Sequence, residues 1–231
     1  MNDSLRETVC QANLELQRAG LVTLTWGNVS GLDRDRGVFF IKPSGVNYDA
    51  MTPADMVGVC LEDGSVVDGT RKPSSDTATH LALYRAFREL GGVVHTHSSC
   101  ATSWAQACQP IPCFGTTHAD HFAGSVPVTR GLTEDEIRGD YVANTGSVIV
   151  EHFRDNNIDP LHVPAALVAL HGPFTWGKTA GAAVHNAVAL EAVARMALET
   201  LALSPHQGPI PAALLERHFQ RKHGPNATYG Q

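Results

Sequence analysis

With 231 residues, 43% of them hydrophobic and 17% charged, the chain is long enough to bury its own core and reads as one domain, 1–231. Seventeen Lys+Arg against 23 Asp+Glu leave a net charge of −6, which argues against the clustered positive charge that nucleic-acid binding requires. No run approaches the ~18 apolar residues of a membrane helix, and the first twenty residues lack the basic patch and apolar run of a signal peptide.

Five cysteines without a Cys-x-x-Cys pair fit a reduced, cytoplasmic protein with neither nucleic-acid nor membrane partners. Cys10, Cys60, Cys100, Cys108 and Cys113 are expected to be small buried hydrophobes. They lack the spacing of a structural zinc site.

In chain order, Leu5, Val9, Ala12 and Leu16 recur at helical spacing and predict a helix over 4–19, stopped by Gly20. Turns follow, then a strand at 38–42 that ends in Pro43-Ser44-Gly45. Segments 56–61 and 65–67 flank Asp63-Gly64 and read as a hairpin. A second helix opens near Ser75 or Asp76, whose side chains accept from free backbone N–H groups, and stops at Gly91-Gly92. Short strands are predicted at 93–97, 126–129 and 166–170. Thr133-x-x-Glu136 has the form of a capping box, and helices follow at 146–155, 179–203 and 211–223. Hairpins mixed with helices predict an α/β (α+β) fold, a three-layer α/β/α sandwich with a central, mostly antiparallel sheet.

The most informative local pattern is Val93-Val94-His95-Thr96-His97. Residues i and i+2 of a strand share a face, so the two imidazoles can converge, and His171 follows another apolar strand. Two strand histidines with a third at a strand end match a catalytic tri-histidine zinc site that keeps one position open. Spacing alone leaves this level with a pair of satisfied core histidines, and it does not separate Zn²⁺ from Mn²⁺ or Co²⁺. Asp76 is either a helix N-cap or a carboxylate near the metal.

Three polar clusters lie at turns: Thr25-Trp26-Gly27-Asn28, Lys42-Pro43-Ser44-Gly45 and Lys72-Pro73-Ser74-Ser75-Asp76. Glycines and serines allow close backbone approach and offer donors to an anion, and Lys42 would add charge. Each alone reads as an ordinary turn; together they point to a phosphate site. The spacings of a Walker loop and of a dinucleotide fingerprint are absent.

Seven segments, LVTLTWGNVS, IKPSGVNYD, KPSSDTATH, GGVVHTHS, GTTHAD, HGPFTWGK and RKHGPNATYGQ, make the chain resemble the class II aldolase/adducin family over essentially its whole length. The resemblance implies a homotetramer with active sites between subunits and a sugar-phosphate substrate. It also implies one Zn²⁺ per subunit carried by His95, His97 and His171, with Asp76 in the coordination sphere. Gly27, Asn28, Ser44, Gly45, Ser74 and Ser75 match phosphate-binding positions, with Lys42 in the same pocket. Asp120 and Tyr229 match a pair of acid/base residues. Tyr229 can act only if the C-terminal tail docks, and a cation such as His218 or Arg221 would favour its phenolate.

Within the family the chain is most similar to the branch that inverts C4 of L-ribulose 5-phosphate, giving D-xylulose 5-phosphate. That branch breaks the C3–C4 bond in a retro-aldol step and re-forms it on the other face, because the hydrogen on C4 is not acidic. The alternative is a class II sugar-phosphate aldolase that releases the fragments; its glutamate at the position of Asp76 is absent here. The adducin head, a non-catalytic relative, would lack the metal ligands. His121 departs from the aromatic residue expected beside Asp120. His80, His118, His152, His162, His185, His206 and His223 carry no assigned chemistry and are expected to be surface or satisfied structural residues, and Trp26 reads as packing or pocket wall.

Overall fold

Short strands with apolar side chains on both faces build the centre of the molecule. The structure, a computed structural model, describes residues 2–225 and 227. Seven strands, β1 (Asn28–Asp33), β2 (Val38–Ile41), β3 (Val57–Cys60), β4 (Val66–Asp68), β5 (Gly92–His95), β6 (Ala165–Val168) and β7 (Gly172–Gly177), form one sheet in the order β4-β3-β2-β1-β5-β7-β6. Every neighbouring pair is antiparallel. The α-helices are α1 (Asn2–Arg18), α2 (Thr77–Ala86), α3 (Ser99–Gln106), α4 (Thr116–Ala119), α5 (Glu134–Arg138), α6 (Tyr141–Asp155), α7 (Ala180–Leu203) and α8 (Ala212–His223).

Strand alternation sorts the core into two layers. Phe39 and Ile41 of β2, Val93 of β5, and Ala166 and Val168 of β6 pack with Leu81 and Tyr84 of α2 and Val148, Ile149 and Phe153 of α6. The residues between them in sequence face the other way. Val29, Val94, Ala165 and Leu167 pack on Leu16 of α1, Ala101 and Ala105 of α3, and Ala183, Leu190 and Ala194 of α7. The result is the expected three-layer α/β/α sandwich. Among the described residues no helix is long and apolar enough to cross a membrane.

Local signals held where they were strongest. Thr133 and Glu136 form their reciprocal cap at the start of α5, and Thr179 caps α7 through Ala182 N. The hairpin at 56–67 is β3–β4. The segment at 126–129 makes only single bridges, Ile111–Val126 and Val128–Leu167. Strand β5 stops at His95 rather than His97. α6 starts earlier than expected, at Tyr141, where the Asp140 carboxylate accepts from Ala143 N. Strands β1 and β7 and helix α3 were not anticipated. All five cysteines are free, but only Cys10 and Cys113 are buried; Cys108 is exposed, in a turn of positive φ after α3.

Candidate metal and anion site

The end of β5 and the β6–β7 turn bring three imidazoles together. His95 is the last residue of β5 and pairs with Phe174 of β7, on whose ring it stacks at 4.2 Å. Its Nδ1–H donates to the Pro173 carbonyl at 3.0 Å, which leaves Nε2 as the lone-pair nitrogen. His97 lies beyond the strand, with its Nε2 3.1 Å from that of His95. His171 sits in the tight turn between β6 and β7. That turn can close against β5 because Gly172 has no side chain: a Cβ there would lie 3.0 Å from the Thr96 carbonyl and 3.5 Å from both His95 and His97.

The donor set suits a divalent cation. One ligand nitrogen from each histidine falls within 4.8 Å of the other two. Burial pulls the pKa of His95 down to about 3 against the attraction of Asp76, and burial lowers His97 and His171 as well. Three neutral imidazoles that can each bring one nitrogen to a common point are the form in which histidine ligates a metal, so the residues present fit one.

Asp76 occupies the N-cap position of α2, yet its side chain makes no cap bond. It turns into the cavity instead and accepts from Asn28 Nδ2 at 2.6 Å. Burial opposes its ionisation, but electrostatic interaction with His95 and His80 and the Asn28 bond hold the carboxyl below its usual range. It lies outside the group of three close-set histidine nitrogens.

The three polar turns meet on the other side of the same cavity. Ser44 N donates to the Lys72 carbonyl at 2.9 Å and Ser74 N to the Lys42 carbonyl at 3.0 Å, which clasps the second and third clusters together. Lys42 is only 2% exposed. Its ammonium donates weakly to the carbonyls of Thr25 (3.4 Å) and Pro43 (3.5 Å) and lies 4.8 Å from the Tyr48 ring centroid. Burial lowers its pKa while Asp76 opposes the shift. Tyr48 Oη donates to the Trp26 and Gly27 carbonyls. Gly27 has φ +80°, and a Cβ there would meet the His95 carbonyl at 2.9 Å; the 25–28 turn therefore touches the end of β5 directly.

The cavity has a volume of about 570 Å³. Eleven of the thirteen residues singled out in the sequence line it: Gly27, Asn28, Lys42, Ser44, Gly45, Ser74, Ser75, Asp76, His95, His97 and His171. Trp26 is half exposed on its wall, its ring 6.3 Å from His97. The remaining wall is Thr25, Pro43, Tyr141 and Val142. Sequence reasoning missed the last two. Tyr141 Oη lies 3.4 Å from His171 Nδ1, and nothing near it in sequence ties the start of α6 to a site on β5.

Asp120 is elsewhere. It follows α4 and accepts from Arg221 (3.0 and 3.2 Å) and His218 (3.1 Å) of α8, while its backbone carbonyl lies 2.8 Å from His223 Nε2. Burial works against its charge, but these partners hold its pKa below the usual carboxylate value. Tyr229 lies outside the described residues. His121 packs on His185 at 5.4 Å and lies 3.4 Å from Lys222 Nζ. His80 is only half satisfied: its Nδ1 meets Ser30 Oγ at 2.7 Å, and its buried Nε2 has no partner among the described residues.

An antiparallel three-layer sandwich with imidazoles gathered where its strands end has the architecture and donor set of a metal-binding α/β domain. The profile of the Class II Aldolase and Adducin N-terminal domain matches residues 7–198, and the chain belongs to that family. The chain is 57% identical over 227 residues, 98% of each sequence, to L-ribulose-5-phosphate 4-epimerase UlaF of Salmonella paratyphi B (strain ATCC BAA-1250 / SPB7). The same figures hold for the protein of that name from Salmonella typhi. Among solved structures, an L-fuculose 1-phosphate aldolase superposes with a TM-score of 0.79 at 22% identity, covering 94% of this chain and 95% of that one. The L-fuculose-1-phosphate aldolase from Thermus thermophilus gives 0.69 at 23% identity, covering 89% and 99%.

Proposed function

We propose that the chain is an isomerase, interconverting L-ribulose 5-phosphate and D-xylulose 5-phosphate by breaking and re-forming the C3–C4 bond. The observation that carries this reading is the single cavity in which three histidines face three donor-rich turns. Identity of 57% to proteins named as this epimerase narrows the chemistry from the family to the reaction. Zn²⁺ is the proposed ion, held by His95, His97 and His171 with Asp76 beside them. A metal bound there supplies a Lewis acid for the negative charge left when the bond breaks.

The chain's own residues do the rest. Gly27, Asn28, Ser44, Gly45, Ser74 and Ser75 form the proposed phosphate pocket, in which the serine hydroxyls can donate to the phosphate and Lys42 adds its charge. Anchored in this way, the phosphate-bearing fragment stays in the cavity while its aldehyde turns its other face. Asp76 holds Asn28 in place through the 2.6 Å bond. Asp120 and Tyr229 serve as the acid/base pair, one taking the C4 hydroxyl proton and the other returning a proton from the opposite side. Asp120 is not on the cavity wall of its own chain. The reading therefore requires a neighbouring subunit to bring Asp120 to the cavity; the assembly proposed is a homotetramer with active sites between subunits, and the compartment proposed is the cytoplasm.

The test is product analysis with L-ribulose 5-phosphate, with and without chelator and added Zn²⁺. Metal-dependent D-xylulose 5-phosphate with little free fragment is the expected outcome. Accumulation of dihydroxyacetone and glycolaldehyde phosphate would assign the chain to the aldolases and remove the roles given to Asp120 and Tyr229. No conversion by a metal-loaded tetramer would reject the substrate.

A further inference from the structure

Helix α3 stands between two of the three histidines. Its first residue, Ser99, follows His97 by two positions. At its other end the Ala105 carbonyl accepts from Leu170 N at 2.9 Å, one residue before His171. Leu170 has φ +63°, a conformation costly for a branched side chain that persists only where surrounding contacts impose it. His95 is held independently, by β5 and the Pro173 carbonyl.

A helix start leaves N–H groups without intrahelical partners, and Ser98, at the N-cap of α3, makes no side-chain cap bond. Glu191 of α7 takes that role from 90 residues away. Its Oε1 accepts from Cys100 N at 2.8 Å and its Oε2 from Ala101 N at 3.0 Å. A carboxylate there also meets the positive end of the helix dipole. The same two helices are joined by Trp104 Nε1 donating to the Ala194 carbonyl at 3.0 Å and by the packing of Ala101 and Ala105 with Leu190 and Ala194.

We infer that Glu191 is a positioning residue of the metal site: by anchoring α3 to α7 it fixes the loops that carry His97 and His171. The inference rests on reading the three histidines as metal ligands. Remote in sequence and touching none of them, Glu191 acts on the ligands only through the helix it caps.

The experiment measures Zn²⁺ affinity of the full chain by competition with a chromophoric chelator, together with the visible spectrum of the Co²⁺-loaded protein. Glu191→Ala is expected to bind Zn²⁺ about 10-fold more weakly, the lower end of the range for groups that orient metal ligands, with altered Co²⁺ bands. Glu191→Gln keeps one acceptor oxygen and falls between. Thr133→Ala strips a cap from α5 instead and should keep the wild-type affinity and spectrum, which separates local positioning from general loss of stability. Wild-type Zn²⁺ affinity and Co²⁺ bands in Glu191→Ala would overturn the inference, as would equal weakening in Thr133→Ala. Absence of saturable Zn²⁺ binding by the wild-type chain would overturn the ligand reading itself, and the inference with it.

Discussion

The cavity at the end of β5 and the charged cluster around Asp120 solve opposite electrostatic problems. In the cavity, burial favours the neutral form of three imidazoles gathered at one point, and among the described residues no carboxylate lies within ion-pair distance of the buried Lys42. Around Asp120 the carboxylate already has its partners, the Arg221 guanidinium and His218 Nδ1. Leaving polar groups short of partners costs stability, and the proposed function offsets that cost in the first region with a cation and an anion. The second holds its carboxylate ionised and fixed without further help.

Breaking either region should expose the difference. His97→Asn should remove tight metal binding and lower kcat/KM by roughly 10³-fold, the ~4 kcal/mol expected when Lewis-acid stabilisation is lost; metal content and turnover measured together check this. Asp120→Asn should lower turnover about 10²-fold, within the range for an acid/base group, while metal content stays at the wild-type level. Loss of metal in that variant would show that the two regions are not separable.

One buried histidine beside each region sharpens the comparison through pH. Burial draws both His80, on α2, and His118, on α4, down to about 4, whereas unfolded histidine titrates near 6.5. The unfolded chain therefore binds protons first as pH falls. Stability is fully present above about 6.5, drops progressively towards 4 and levels off below. At pH 5 the loss should be about 2 kcal/mol for each histidine, read by urea unfolding at pH 7.5 and 5. A His118→Gln variant should show a shallower drop. The smallest effect is expected for Lys42→Met, which should raise KM for the sugar phosphate about 10-fold and weaken inhibition by inorganic phosphate by the same factor, with metal affinity unchanged.

Much of the candidate site was legible in the sequence because its residues come in short runs. His95 and His97, Lys42 through Gly45, and Ser74 through Asp76 are each close enough together for local geometry to hint at a shared role. Their convergence was not local: His171 could be joined to the pair only as a third histidine at a strand end, and spacing alone left that level with ordinary core histidines. Asp76 illustrates the limit: its position is that of a helix cap, and the fold alone turned the carboxylate towards Asn28. Two of the strands around the site, β1 and β7, were harder to see than the site itself. Strand β7, Gly-Pro-Phe-Thr-Trp-Gly, is buried along its whole length, so it has no polar–apolar alternation, and its proline and glycines argue against a strand. Strand β1 is interrupted by Gly31, where a Cβ would lie 2.7 Å from Val9 of α1.

The sequence by itself determined the class of fold, the ends of the helices with strong caps, the β3–β4 hairpin and the chemical types gathered in the cavity. These rest on interactions spanning a few residues, such as the cap between Thr133 and Glu136. Tertiary structure decided which strands lie at the centre of the sheet, that Tyr141 reaches His171, and that Glu191 anchors the helix beyond His97. Each of those joins residues tens of positions apart. Their partners are chosen by how the layers pack, and no local pattern of side chains encodes that choice.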